Sequence, residues 1–348
     1  MTTESTTASE KIAVVILNWN GADMMRRFLP SVVEYSKGEG EVIVADNGST
    51  DHSCEMLEKE FPTVRIIRFT ENYGFAEGYN RALAQLEHKY FLLLNSDVEV
   101  TPNWLTPLRA YMDQHPEVGA CQPKLLSWHQ KEMFEYAGGA GGYLDHYGYP
   151  FCRGRVFADL EKDNGQYNQT VPLLWATGAA LLVRRTDWND AGGLDGRFFA
   201  HMEEIDLCWR MRTRGRQIVC IGESKVYHVG GASLEQGNPR KTFLNFRNNL
   251  LMLYKNLPEN ELNRVMRIRG LLDWIAALKF FLTGDVANGK AVLKARKDYQ
   301  KMRPDFQPQR AENLKKRTLQ QVPERTTYSL LWQYYLKGKK KFSDLPQL

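Results

Sequence analysis

Four apolar runs in the first hundred residues each end in a cluster of Asn, Asp and Gly. The runs are Lys11 to Leu17, Glu41 to Ala45, Val64 to Phe69 and Tyr90 to Leu94. They are short and rich in β-branched and aromatic residues, the pattern of strands buried on both faces. Between them, Ala22 to Tyr35, Asp51 to Glu60 and Phe75 to His88 carry helix signals, with Ser49-Thr50-Asp51 as a cap. A βαβαβαβ order predicts an α/β fold: a mostly parallel sheet with right-handed crossovers, flanked by helices. Ligands of such sheets sit beyond the carboxyl ends of the strands. Here those ends read Asn18-Trp19-Asn20-Gly21, Asp46-Asn47-Gly48-Ser49-Thr50-Asp51, Thr70-Glu71-Asn72-Tyr73-Gly74 and Asn95-Ser96-Asp97. One such end is turn chemistry; four on one edge predict a polar site.

Further on the signals weaken. Leu125 to Val171 is rich in Gly and Tyr and reads as an irregular, loop-heavy insertion. Pro172 to Arg184 is an apolar strand region around Thr177-Gly178-Ala179. Phe198 to Gly215 reads as a helix, followed by short strands at Gln217 to Ile221 and Lys225 to Val229. From Thr242 the chain turns to basic, amphipathic helices, including Arg264 to Leu282 and Ala287 to Met302. The expected organisation is a disordered tail at 1–10, an α/β domain at 11–241 (halves 11–100 and 101–241) and a helical extension at 242–348.

The net charge of +5 conceals an asymmetry. Residues 236–348 hold 23 Lys/Arg against 9 Asp/Glu, a net of +14, and residues 1–235 hold 23 against 32, a net of −9. A basic C-terminal region carrying Trp274, Phe280, Phe281 and Trp332 suits an anionic membrane surface. Helices packed on the catalytic body are the alternative. No nucleic-acid-binding motif is present, so nucleic acid is not an expected partner. The N-terminus lacks the basic and apolar regions of a secretory signal. The apolar stretch Leu271 to Leu282 is too short to span a bilayer. Five scattered cysteines without a C-x-x-C pair predict reduced thiols in a cytoplasmic protein.

Four groups can carry chemistry. In Asn95-Ser96-Asp97, a carboxylate at a strand end can hold Mg²⁺ or Mn²⁺ bridging phosphate oxygens, or simply cap the turn. Asp46 can accept from a nucleobase or a ribose hydroxyl. Glu203, Glu204 and Asp206 form an acidic cluster on one helix, and residues one apart cannot all face one site. One of them can take the proton of an attacking hydroxyl; a solvated helix face is the alternative. His228 can bind metal or a diphosphate, or be a satisfied core histidine.

These residues resemble family 2 inverting glycosyltransferases with the GT-A fold, near the bacterial rhamnosyltransferase-like branch. The likeness runs through Val15 to Gly21, Val42 to Asp51, Asn72 to Asn80, Leu92 to Val98, Thr177-Gly178-Ala179, Gly192 to Phe199 and Glu203 to Arg210. It implies that Asn18, Asn20, Asp46 and Asn80 surround the nucleotide of a nucleotide-sugar donor, with Asn95 and Asp97 in the places of the family's D-x-D motif. Asp97 and His228 would hold Mg²⁺ or Mn²⁺. Glu204 would be the general base, with Glu203 or Asp206 as the other candidates. Trp175, Gly178 and Asp206 would contact the acceptor, and 11–241 would be the catalytic domain, with a donor half 11–100 and an acceptor half 101–241. The implied acceptor is a saccharide, commonly lipid-linked, in cell-surface polysaccharide or lipopolysaccharide assembly. Two departures stand out: Asn95 replaces the commoner first Asp, and Glu204 replaces the shorter Asp. A sugar nucleotidyltransferase would want a Gly-rich basic loop after the first strand, where this chain has Asn18 to Asp23. A dinucleotide oxidoreductase would want G-x-G-x-x-G there. A non-catalytic nucleotide-sugar-binding or membrane scaffold would not need Asp97, Glu204 and His228.

Overall fold

The structure, a computed structural model, describes residues 11–230 and 237–347. The expected tail at 1–10 lies outside them, as does Gly231 beside the His228 segment. Residues 11–100 alternate β1 (Ile12–Asn18), α1 (Ala22–Tyr35), β2 (Gly40–Asp46), α2 (Ser53–Glu60), β3 (Arg65–Arg68), α3 (Gly74–Leu83) and β4 (Tyr90–Leu94). The strands pair in parallel in the order β4-β1-β2-β3. Their alternation explains the continuous apolar runs. Ala13, Val15, Ile43, Ala45, Phe91 and Leu93 enter one core layer, whereas Ile12, Val14, Ile16, Val44, Leu92 and Leu94 enter the other. Both faces are covered along the middle of β1, β2 and β4, so polar residues in these strands fall at their ends.

The residues that follow extend this sheet. After β5 (Val98–Val100), α4 (Leu105–Gln114) and β6 (Val118–Ser127) comes a small antiparallel sheet: β7 (Gly142–Leu144), β8 (Pro150–Cys152), β9 (Arg155–Val156) and β10 (Asp159–Leu160). The segment expected to be irregular therefore contains strands, but of two or three residues, too short for a period to register. The single strand region expected at 172–184 is two strands, β11 (Val171–Leu173) and β12 (Ala180–Arg184). After α5 (Arg185–Ala191) and α6 (Glu203–Thr213), the two short strands expected near 217–229 are one, β13 (Gln217–His228), with an irregularity between Ile221 and Lys225. The main sheet runs β11-β13-β6-β12-β4-β1-β2-β3, with β5 added antiparallel to β13.

The C-terminal helices are α7 (Pro239–Asn256), α8 (Glu259–Leu282), α9 (Val286–Met302) and α10 (Gln307–Lys315). The boundary expected at 241/242 falls inside α7. Leu250, Leu251, Leu253, Leu257, Val322 and Leu330 share a core with the sheet, and the buried Arg212 guanidinium pairs with Glu324 at 2.6 Å. Residues 239–347 are thus bound to the α/β body.

Helix α8 departs most from a simple amphipathic reading. Its inner face buries Arg269 and Asp273, joined at 3.4 Å and completed by Arg296 at 2.6 Å. Its outer face exposes Leu271, Trp274, Ile275, Leu278 and Leu282. No helix among the described residues is long and apolar enough to cross a membrane.

Candidate active site

The register of β1 and β2 sets Asn18 beside Asp46. The Asn18 amide donates to Asp46 Oδ1 at 3.0 Å and to Ser49 Oγ at 3.1 Å. Asp46 Oδ2 accepts the Ser49 N–H at 3.1 Å. Gly48 makes this turn possible: its φ is +73°, and a Cβ would lie 2.5 Å from the Glu71 backbone. Asn20 sits at φ 51° and accepts the N–H groups of Thr50 and Asp51 at 2.7 and 3.2 Å. Asn20 therefore locks two strand-end loops together. Asn18 Oδ1 is buried without a hydrogen-bond partner. Trp19, between them, is 57 % exposed; a large aromatic left in water at this edge is a signal the motif reading passed over.

The antiparallel pairing of β5 with β13 places His228 opposite Val98, and so beside Asp97. His228 Nε2 lies 3.1 Å from Asp97 Oδ1 and 3.3 Å from the Asn95 amide nitrogen. Asp97 Oδ2 accepts the Gly230 N–H at 3.2 Å. On the far side of the ring, Nδ1 lies 3.4 Å from buried Glu135. Burial opposes a charged imidazole here, but Glu135 and Asp97 outweigh it and push His228 up to about 10. Burial likewise opposes the Asp97 carboxylate, but His228 and the Gly230 N–H hold it below the usual range. Glu135 escaped notice in the sequence because it lies in the segment without periodicity.

These residues suit a divalent ion in part. An octahedral ion with ligands at about 2.1 Å keeps neighbouring ligands about 3 Å apart, and Asp97 Oδ1 and His228 Nε2 have that spacing. Glu135 stands where a carboxylate orients a metal-binding histidine. Among the described residues no group of three or more His, Cys, Asp or Glu is gathered to hold an ion. The remaining ligands would have to come from phosphate or water, as is common for Mg²⁺.

The path to the acidic cluster is short. The Asn95 N–H donates to Ala179 O at 3.0 Å. At the adjacent Gly178, a Cβ would lie 3.1 Å from the Phe75 ring and 3.8 Å from Glu204 Cβ. Gly178 thus lies against Glu204, one residue from the carbonyl that holds the Asn95 N–H. The expected helix at 198–215 begins only at Glu203, because Phe199, His201 and Met202 have φ of 67°, 71° and 74°. Such conformations cost about 1–3 kcal/mol each and need outside support. Asn248 of α7 supplies it, donating to the carbonyls of Phe198, Ala200 and His201 at 2.9, 2.8 and 2.8 Å. Its sequence signal is a buried Asn on a helix face shared with Leu244 and Leu251.

The strap delivers Glu203 and Glu204 with their Oε2 atoms buried and unpartnered. Burial pushes both carboxyls up, Glu204 to about 7, and the neighbouring Glu204 charge raises Glu203 further. Glu203 is the more buried side chain and Glu204 the partly accessible one.

Three expected contacts are placed elsewhere. Asp206 is fully buried and held by Lys255 at 2.7 Å, Arg210 at 3.0 Å and Asn256 at 2.8 Å. Losing one partner of such a cluster costs about 3–5 kcal/mol, so Asp206 is committed to the fold and does not reach an acceptor. Trp175 is buried and donates its indole N–H to Tyr143 O at 3.0 Å; it packs against Gly142 as core. Asn80 exchanges hydrogen bonds with the Leu194 backbone at 2.8 and 3.0 Å. Its amide ties α3 to the turn at Gly192-Gly193.

A large α/β sheet with polar strand ends, flanked by helices and followed by a helical region, matches the GT-A fold. Residues 13–127 match the family model for glycosyl transferase family 2. The N-acetylglucosaminyl-diphospho-decaprenol L-rhamnosyltransferase of Mycobacterium tuberculosis is 26 % identical over 239 residues, covering 63 % of this chain and 76 % of that protein. The O-antigen biosynthesis protein RfbC of Myxococcus xanthus is 27 % identical over 227 residues, 64 % of this chain but 18 % of that protein. Among solved structures, GalNAc-T7 with UDP, GalNAc and Mn²⁺ aligns with a TM-score of 0.56 at 16 % identity, over 70 % of this chain and 48 % of that one. TarS 1–349 of S. aureus in complex with UDP-GlcNAc aligns at 0.53 and 16 % identity, over 94 % and 92 %. The chain is thus similar to glycosyl transferase family 2 over residues 13–127, and its relatives include a bacterial rhamnosyltransferase.

Proposed function

We propose that this glycosyltransferase moves a sugar, with inversion, from a nucleotide-sugar donor to a hydroxyl of a lipid-linked saccharide, using Mg²⁺ or Mn²⁺. The observation that carries the reading is Glu204, unpartnered and raised toward neutrality beside Gly178, next to the Ala179 carbonyl that anchors the Asn95–Asp97 turn and its Asp97–His228 pair. Asn18 and Asp46 lie where the nucleobase and ribose would be held, Asn20 shapes that loop, and exposed Trp19 offers a face for stacking. Asn95 is better suited to a ribose or phosphate oxygen than to the metal. A divalent ion at Asp97 and His228 would offset charge on the departing nucleoside diphosphate. Glu204 takes the proton of the acceptor hydroxyl as its oxygen bonds to the anomeric carbon. The opposite carbon–oxygen bond breaks, and its electron pair leaves with the diphosphate. No enzyme nucleophile is required.

The relative named as a diphospho-decaprenol rhamnosyltransferase favours a dTDP-rhamnose donor and a prenyl-diphosphate acceptor. A thermal-shift screen of dTDP-, UDP- and GDP-sugars, with and without Mn²⁺ or Mg²⁺, tests the donor reading. One nucleotide should stabilise the protein only with metal, and its sugar should be transferred. Stabilisation by no nucleotide-sugar would sink it.

The same reading places the protein at the inner face of the cell membrane. The α8 stripe is capped by exposed Arg264 and Arg267. Lys279 lies 5.7 Å from the Tyr335 ring, which joins exposed Trp332, Tyr335 and Leu336 to that stripe. Lys337, Lys339, Lys340 and Lys341 follow directly. An apolar face rimmed by cations is complementary to an anionic bilayer. Trp274→Glu with Leu278→Glu should abolish flotation with phosphatidylglycerol vesicles. Unchanged flotation, or a wild-type dimer that these substitutions dissociate, would refute membrane docking by this face.

A further inference from the structure

A second cavity opens beside the strap that carries Glu203 and Glu204. It measures about 660 Å³ and lies between α7, α9 and the Arg197–Phe199 turn. Five of its lining side chains are cationic, Arg197, Arg240, Arg247, Lys290 and Lys294, and none is acidic. Two of the five are occupied: Arg197 pairs with Asp195 at 2.7 Å, and Arg247 donates to the Phe198 carbonyl at 3.2 Å. Arg240, Lys290 and Lys294 make no ion pair among the described residues. Instead Arg240 stands 5.3 Å from the Phe199 ring and Lys294 5.2 Å from the Phe243 ring. Aromatic faces hold cations in place without neutralising them. Uncompensated like charges in one concavity raise the local concentration of anions and prefer phosphate oxygens.

The position is as informative as the charge. Phe199 lines the cavity, and its carbonyl accepts the N–H of Phe75 at 2.8 Å. Phe75 is the residue that, with Glu204, faces Gly178. The cavity and the candidate base are thus on the two sides of one strap. The first turn of α9, which supplies Ala287 and Lys290 to the lining, begins at exposed Val286, after Leu282, which is 79 % exposed. An anion-binding cavity therefore borders both the acceptor side of the site and the end of the apolar stripe.

We infer that this cavity binds the diphosphate of the acceptor, with the lipid leaving over Val286 and Leu282 and the saccharide directed toward Glu204. The inference rests on the transferase reading above, and the experiment separates the two. The variant Arg240→Ala/Lys290→Ala/Lys294→Ala changes no residue placed in the donor or base machinery. Inorganic pyrophosphate, titrated calorimetrically in the presence of a chelator, should bind the wild type and at least about tenfold more weakly to the variant. In transfer assays the KM for a saccharide on a short prenyl diphosphate should rise by at least about tenfold, with little change in kcat. The KM for the same saccharide as an alkyl glycoside should stay unchanged, as should flotation with phosphatidylglycerol vesicles. Equal pyrophosphate binding by both proteins, or none by the wild type, overturns the inference. So does an equal KM change for both acceptors. Lost flotation with an unchanged acceptor KM would assign the cavity to lipid headgroups and also overturn it. If the wild type transfers no sugar at all, the transferase reading fails, while the pyrophosphate titration still decides the cavity.

Discussion

Glu204→Gln should reduce transfer by about 10²–10⁴-fold, the usual share of a general base, while leaving metal-dependent donor binding intact. The substitution keeps the shape of the side chain beside Gly178 and removes only its ability to accept a proton. The wild-type pH profile carries the same signature. With Glu204 raised to about 7 by burial, kcat/KM should climb as pH passes through neutrality, because the protonated carboxyl cannot act as base. Glu203 and Glu204 interact, so the limb reports the pair. In the Gln variant that limb should flatten. The linkage has a definite sign. A carboxyl whose folded pKa lies above its unfolded value of about 4.3 loses stability as pH rises between the two. Glu204→Gln should therefore melt higher than wild type at pH 8 and about equally at pH 4. If Glu203→Gln is inactive and Glu204→Gln turns over normally, the base is Glu203.

Asp97→Ala should lower transfer by roughly 10³-fold or more, equivalent to about 4 kcal/mol of transition-state stabilisation. The Mn²⁺-dependent thermal shift with nucleotide-sugar should vanish with it. His228 would lose one of its two carboxylates, and it can shed its proton to avoid an unpaired buried charge. The fold should consequently survive. Asp97→Asn, which keeps an acceptor for the Gly230 N–H, is the control for packing. Full activity of Asp97→Ala with metal chelated would remove the metal from the mechanism.

The donor half was legible in the sequence because each strand is buried on both faces and each strand end must turn in polar residues. Helix α1 has the expected limits, Ala22–Tyr35, and β4 those of Tyr90–Leu94. Asn18, Asp46, Asp97 and His228 are brought to one sheet edge by strand register, which a linear motif can encode. Asn80, Trp175 and Asp206 were misplaced for the complementary reason. A motif says that a residue is needed, and not whether it faces a ligand or a backbone carbonyl. Asp206 shares its helix turn with Glu203, but only the fold reveals Lys255 and Asn256 waiting for it. Glu135 and Asn248 reach the site from a loop without periodicity and from a helix near the end of the chain, so no local pattern announces them. Helix α8 misleads more deeply, because periodicity fixes two faces but not which one is inward. Its Arg269–Asp273–Arg296 cluster turns the polar face in.

The three carbonyls on the Asn248 amide carry a consequence for biosynthesis. The strands and helices that form the donor half lie near the start of the chain and pack chiefly with their neighbours, so this half can take shape first during synthesis. The strained strap before Glu203 has no comparable support until α7 has been made and has docked. A ribosome-bound chain ending before residue 248 would hold the donor loops in place and leave the base unpositioned. Nucleotide-sugar hydrolysis by such fragments would be held off until the acceptor side was complete.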